Sequence, residues 1–189
     1  MADEQRARFA AVHADTYEQI LGYAVRRCDS PDDAADVVAE TYAIAWRKVE
    51  ELPSGDEARL WLYGVARRVL ADHRKREYRR RSWNVELHEE VAGLYGRSPA
   101  PDERPDLRAI GRVFRELPDR DRELLSLFVW EGLDHREIGR VLGCSRNAVY
   151  VRMHRARKRF SRALAAAGVH LPSVAESAGA AFIERKSEC

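Results

Sequence analysis

Residues 134–160 read DHREIGRVLGCSRNAVYVRMHRARKRF, and this segment leaves fewer choices of fold than any other in the chain. Asp134 fits a helix N-cap with Glu137 three residues later as its reciprocal partner, the pattern of a capping box. Ile138, Val141 and Leu142 supply one apolar face, and Gly143 suits a left-handed C-cap. Ser145 then caps a second helix, in which Val149, Met153, Ala156 and Phe160 recur at i, i+4, i+7 and i+11 and form a single buried stripe. Two helices joined by so short a turn predict a helix-turn-helix, whose second helix enters the DNA major groove with its N-terminal residues against base edges.

The other side of that second helix carries Arg146, Asn147, Tyr150, Val151, His154, Arg155 and Lys158. Arg146 and Asn147 are the side-chain types that pair bidentately with guanine and adenine. Arg152, Arg155, Arg157, Lys158 and Arg159 are expected to meet phosphates. Residues 144–160 hold seven basic side chains, counting His154, and no carboxylate, and no Asp or Glu occurs from Ile138 to Ala175. These cations repel one another unless an anion arrives from outside.

The net charge of +2 conceals a partition along the chain. Residues 1–66 hold 13 acids and 7 bases, residues 67–81 hold 2 and 8, residues 82–137 hold 13 and 8, and residues 138–175 hold none and 8. Two basic blocks therefore alternate with acidic stretches, which points to nucleic acid contacted at two places and a different partner for the acidic faces. The first block, RRVLADHRKREYRRR, contains Arg67, Arg68, His73, Arg74, Arg76 and Tyr78. Tyr78 and Trp83 stand among its arginines, and aromatic rings interleaved with cations are what unpaired bases stack on. Trp61 is expected in the core.

The rest of the chain reads as helix with one interruption. A first helix over about Glu4–Cys28 carries a possible break near Asp15 and Thr16. Ser30-Pro31-Asp32-Asp33 then starts a second helix, with cap, first-turn proline and acids at the positive end of the dipole; it runs to about Glu51. A third covers about Asp56–Trp83. Residues 84–105 contain three prolines and two glycines and read as a tether of at most roughly 75 Å. Four helices follow, with Leu117-Pro118-Asp119 separating the first two. The expected fold is all-α: two small helical domains, residues 1–83 and 106–167, joined by a flexible linker at 84–105, the second domain containing the helix-turn-helix, with a tail at 168–189 expected to be disordered.

No apolar run reaches the roughly 18 residues of a membrane helix, and the N-terminus lacks a signal peptide's apolar core, so a cytoplasmic protein is expected. Cys28, Cys144 and Cys189 show no zinc spacing, Cys28 and Cys144 being expected as small buried groups. The six histidines form no metal-ligand pattern, and no glycine loop or nucleophile elbow appears. The expectation is a protein that is not an enzyme and has no cofactor or metal.

At this point the chain resembles the extracytoplasmic-function (ECF) group of bacterial RNA polymerase sigma factors, over about Phe9 to Leu164. SPDDAADVVAETYAIAWRKV resembles the helix that binds the coiled coil of the β′ clamp, and ARLWLYGVARRVLADHRKR the element that reads and melts the minus-10 region. LPDRDRELLSLFVWEGLDHREIGRVLGCSRNAVYVRMHRARKRF is similar to the domain that reads the minus-35 region. The resemblance implies an alternative sigma factor that binds core RNA polymerase and directs promoter recognition, with an anti-sigma factor as a possible further partner. It places Asp36, Glu40, Thr41 and Trp46 on or under the polymerase-binding surface. It gives the minus-10 region to Arg67, Arg68, His73, Arg74, Arg76 and Tyr78, and the minus-35 region to the outward face of the last helix. The competing expectation is a helix-turn-helix transcription regulator that acts without replacing the sigma subunit.

Overall fold

A computed structural model describes residues 2–83 and 105–169. Seven helices, and no strand, occur among the described residues: α1 (Ala2–Val25), α2 (Pro31–Arg47), α3 (Asp56–Trp83), α4 (Pro105–Glu116), α5 (Asp119–Val129), α6 (His135–Leu142) and α7 (Arg146–Ala166). Expectations for 84–104 and for the tail from 170 fall outside the described residues, as do those for the side chains of Tyr78 and Trp83. Cα packing groups the described parts of Met1–Pro99 with Ser126–Val151 in one compact unit, and those of Ala100–Leu125 with Arg152–Cys189 in another.

In the first unit, α1 packs on α2 and α3 around Ile20, Tyr23, Val37, Ala45, Leu62 and Ala66, all of them buried. The Ser30 side chain accepts the Asp33 amide as N-cap, with Pro31 in the first turn. The break expected in α1 is absent. Thr16 Oγ1 donates to the Val12 carbonyl at 2.5 Å and meets the Tyr42 hydroxyl at 2.9 Å, so the threonine back-bonds within a continuous helix. Tyr17 and Val25 lie on the exposed side of α1. The second helix ends four residues earlier than expected, at Arg47, because Lys48 leaves helical geometry (φ −114°, ψ 29°) and the amides of Val49 and Glu51 bond three residues back, to the Trp46 and Lys48 carbonyls. Trp61, Cys28 and Cys144 are half-buried rather than buried. Burial pushes the Cys28 thiol up to about 11, which keeps it protonated and inert at neutral pH.

Also in this unit, α6 packs against α3. Gly64 of α3 faces this contact, where a Cβ would lie 3.7 Å from the Val141 carbonyl oxygen, an ordinary van der Waals distance. Tyr63, 1% exposed, has its hydroxyl pushed up to about 12 from 10 by burial and by the neighbouring Glu131. The neutral phenol is therefore favoured in the folded chain. Its contribution is fully present below pH 10 and is lost as pH rises from 10 to 12, amounting to about 2–3 kcal/mol for a shift of that size. Denaturant titrations on either side of pH 10 should show a smaller alkaline loss of stability for Tyr63→Phe than for the parent; equal losses would assign the effect to other groups.

In the second unit, α4 contributes Val113, which packs with Leu164 and Val169 and with the partly buried Ile110, Phe160 and Ala163. Phe114 meets Phe160 edge to face at 5.9 Å. Phe160, the last residue of the stripe expected to be buried in α7, is thus only partly covered.

Candidate nucleic-acid interface

Local sequence builds the helix-turn-helix. The Asp134 side chain accepts the amides of Arg136 and Glu137, and Glu137 reaches back to accept the Asp134 amide at 2.7 Å, closing the capping box. Gly143 holds φ of 66° at the C-cap, where a Cβ costs energy. Ser145 Oγ accepts the Ala148 amide at 3.2 Å and so starts α7. The turn is tight enough that a Cβ on Gly139 would lie 2.7 Å from the Cys144 carbonyl oxygen.

On α7, Val149, Met153 and Ala156 are buried, whereas Arg146, Asn147, Tyr150, Val151, His154, Arg155 and Lys158 are all exposed. Tyr150 and Val151 are exposed by 63% and 40%, far more than apolar and aromatic groups need for packing. Tyr150 stands edge-on to the His135 ring at 5.9 Å, and His135 is stacked on Phe128. His135 thus packs between Phe128 and the outward-facing Tyr150 phenol, a neighbourhood its spacing did not disclose.

One cation of this helix has a partner within the chain. Arg159, expected to meet phosphate, has its Nε 2.6 Å from Asp121 Oδ2 and donates from Nη2 to Oδ1 at 3.1 Å, with its side chain still 53% exposed. That fork neutralises it with a carboxylate from α5, so the charge of α7 is partly balanced from within the chain.

The first basic block occupies the C-terminal half of α3. Arg68, Arg74 and Arg76 are exposed, Arg67 and His73 half-buried. Arg67 Nε is buried without a hydrogen-bond partner. Arg74 donates to the Arg27 carbonyl at 3.2 Å. His73 Nε2 lies 3.2 Å from Asp33 Oδ1, and Arg76 Nη2 lies 3.6 Å from Glu40 Oε1. Asp36, Glu40, His73 and Arg76 line one cleft between α2 and α3, so side chains expected to serve polymerase and DNA separately share a border.

Of the residues placed on or under the polymerase surface, Asp36 is exposed, Glu40 half-exposed and Trp46 43% exposed. Trp46 packs edge-on against Phe9 at 5.3 Å and belongs to a run of rings with His13, Tyr17 and Tyr42 across α1 and α2. Thr41 is fully buried and donates to the Val37 carbonyl at 2.7 Å, so it lies beneath the α2 surface. No helix is long and apolar enough to cross a membrane, and no group of three metal-ligating side chains occurs, among the described residues.

Residues 13–80 match the family model of sigma-70 region 2, and residues 107–160 that of sigma-70 region 4. The chain is 32% identical over 141 residues to the ECF RNA polymerase sigma factor SigF of Caulobacter vibrioides, covering 74% of this chain and 76% of that protein. Among solved structures, CnrH in complex with the cytosolic domain of CnrY shares 25% identity and a TM-score of 0.59, over 86% of this chain and 90% of that one. The sigma factor RpoE of Bartonella quintana, in complex with the anti-sigma factor NepR, shares the fold at 21% identity and a TM-score of 0.52, over 87% and 98% of the two chains. Two sigma-70 regions in order, carried on helices that display a basic helix-turn-helix face, place this chain in the ECF group of bacterial RNA polymerase sigma factors, as an alternative sigma factor that binds core polymerase and directs promoter recognition and transcription initiation.

Proposed function

We propose that this sigma factor reads the minus-35 element with the outward face of α7, from Arg146 to Lys158, and the minus-10 element with the C-terminal half of α3. Arg68, Arg74 and Arg76 supply exposed cations there, with Arg67, His73 and Tyr78 beside them. The observation that carries this reading is the division of α7, where the apolar stripe is buried while base-reading and cationic side chains are exposed together. It docks on the β′ clamp helices through Asp36, Glu40 and Trp46 of α2, whose acids suit a basic partner. Its promoter-reading parts are two domains, 1–83 and 106–167, tethered by 84–105. It works in the cytoplasm and performs no chemistry of its own. An anti-sigma factor, like the one that accompanies RpoE of Bartonella quintana, is a partner for it.

Reversing charge with Asp36→Lys and Glu40→Lys tests the docking surface. Both positions are at least partly exposed, so helicity should persist while co-purification with core polymerase falls about tenfold or more, a loss of about 1.4 kcal/mol or greater. Normal co-purification of the double variant would move the docking surface elsewhere.

A further inference from the structure

Among the described residues, Tyr150 and Val151 are the two large hydrophobic side chains that α7 exposes, by 63% and 40%. Tyr150 has a hydroxyl and rests edge-on against the His135 ring at 5.9 Å. Val151 has no donor, no acceptor and no charge. At about 100° per residue it stands about 200° around the helix from the fully buried Val149, on the side opposite the apolar stripe. A β-branched residue is also a weaker helix former than the Lys, Arg or Gln that solvent alone would favour there. Single exposed apolar side chains are common on protein surfaces. This one, however, stands one turn after the exposed Asn147, on the same strip of the helix as an amide able to pair with adenine.

The chemistry of a valine narrows what it can recognise. Base edges in the major groove present donors, acceptors and one apolar group, the C5-methyl of thymine. Pressed against adenine, guanine or cytosine, a valine strips water from a polar edge and returns no hydrogen bond, which costs free energy. Against thymine its methyl groups meet another methyl. Four residues of helix rise about 6 Å, and a DNA strand advances about 3.4 Å per base, so Asn147 and Val151 stand about two base steps apart. We infer that Val151 is a specificity-determining residue that selects a thymine of the minus-35 element through its methyl group, about two steps from the adenine taken by Asn147. The inference rests on the assignment of α7 to that element and names a base which that assignment leaves open.

The test uses holoenzyme assembled from core polymerase and the full-length chain, selected on duplexes randomised through the minus-35 region. A thymine should dominate at one position, about two steps from an adenine on either strand. Val151→Ala changes an exposed position to a better helix former, so it should fold. It should flatten the thymine preference and keep the adenine, and Asn147→Ala should do the reverse. On the selected promoter, replacing that thymine with deoxyuracil removes the methyl group and leaves base pairing intact. Run-off initiation at limiting holoenzyme should then fall about fourfold for the parent, equivalent to about 0.8 kcal/mol for one methyl-sized group, and should not change for Val151→Ala. Absence of a selected thymine, a parent indifferent to deoxyuracil, or an equal loss in parent and Val151→Ala would each overturn the contact. If Arg146→Ala combined with Asn147→Ala leaves the selected sequence unchanged, the placement of α7 on the minus-35 element has failed, and the inference with it. A selected sequence that follows those two residues without any methyl effect is instead failure of the thymine contact alone.

Discussion

Replacing Arg146 and Asn147 together with alanine should lower promoter-specific initiation by about 2–6 kcal/mol, since each bidentate base contact is worth about 1–3 kcal/mol of discrimination. In rates that is from roughly thirtyfold to beyond detection. Both side chains are exposed at the start of α7 and neither belongs to the buried stripe. The Ser145 cap is untouched and alanine is the stronger helix former, so the fold and co-purification with core polymerase should be preserved. Run-off transcription and a pull-down on the same preparation check the two halves. An unchanged transcript would remove the N-terminal turns of α7 from the major groove, whatever else the helix does.

Gly139→Ala should cost about 1–3 kcal/mol, the usual penalty for overpacking a closed site. Helix propensity alone favours the change by up to about 1 kcal/mol, and at most glycines in a helix that would decide the sign. Here the new methyl group would sit 2.7 Å from the Cys144 carbonyl oxygen, a backbone atom with no rotamer to escape into. The Cys144 amide moreover donates to the Gly139 carbonyl at 2.8 Å, so the turn cannot relax without losing that bond. The expected result is a lower melting midpoint and a weaker minus-35 contribution together, because the turn sets the angle at which α7 leaves α6. Thermal unfolding followed by circular dichroism measures the first; a midpoint equal to the parent's would show that the turn has slack the geometry does not reveal.

Much of this was legible in the residues because it is local. The capping box at Asp134 and Glu137, the Gly143 cap, the Ser145 start and the Val149–Met153–Ala156 stripe each depend on atoms within a few positions along the chain. The same holds for Ser30 and Pro31 at the head of α2. The false break near Thr16 arose because a threonine with a preceding aspartate signals a cap as readily as it signals back-bonding. With its proton given to the Val12 carbonyl, the back-bonded Thr16 oxygen accepts from the Tyr42 hydroxyl, 26 residues away, a partner no local signal names.

The sequence by itself determined the helices, their apolar faces and the two basic blocks, since periodicity, capping and charge act over one or two turns. Only the tertiary structure decided which charges remain available. Arg159 spends its fork on Asp121, 38 residues away, Glu131 is claimed by Arg27 across 104, and Thr41 turns inward to its own helix. Pairing of this kind depends on which helices meet and at what distance, and Coulomb energy together with desolvation varies steeply with both, whereas a residue's position in the chain fixes neither.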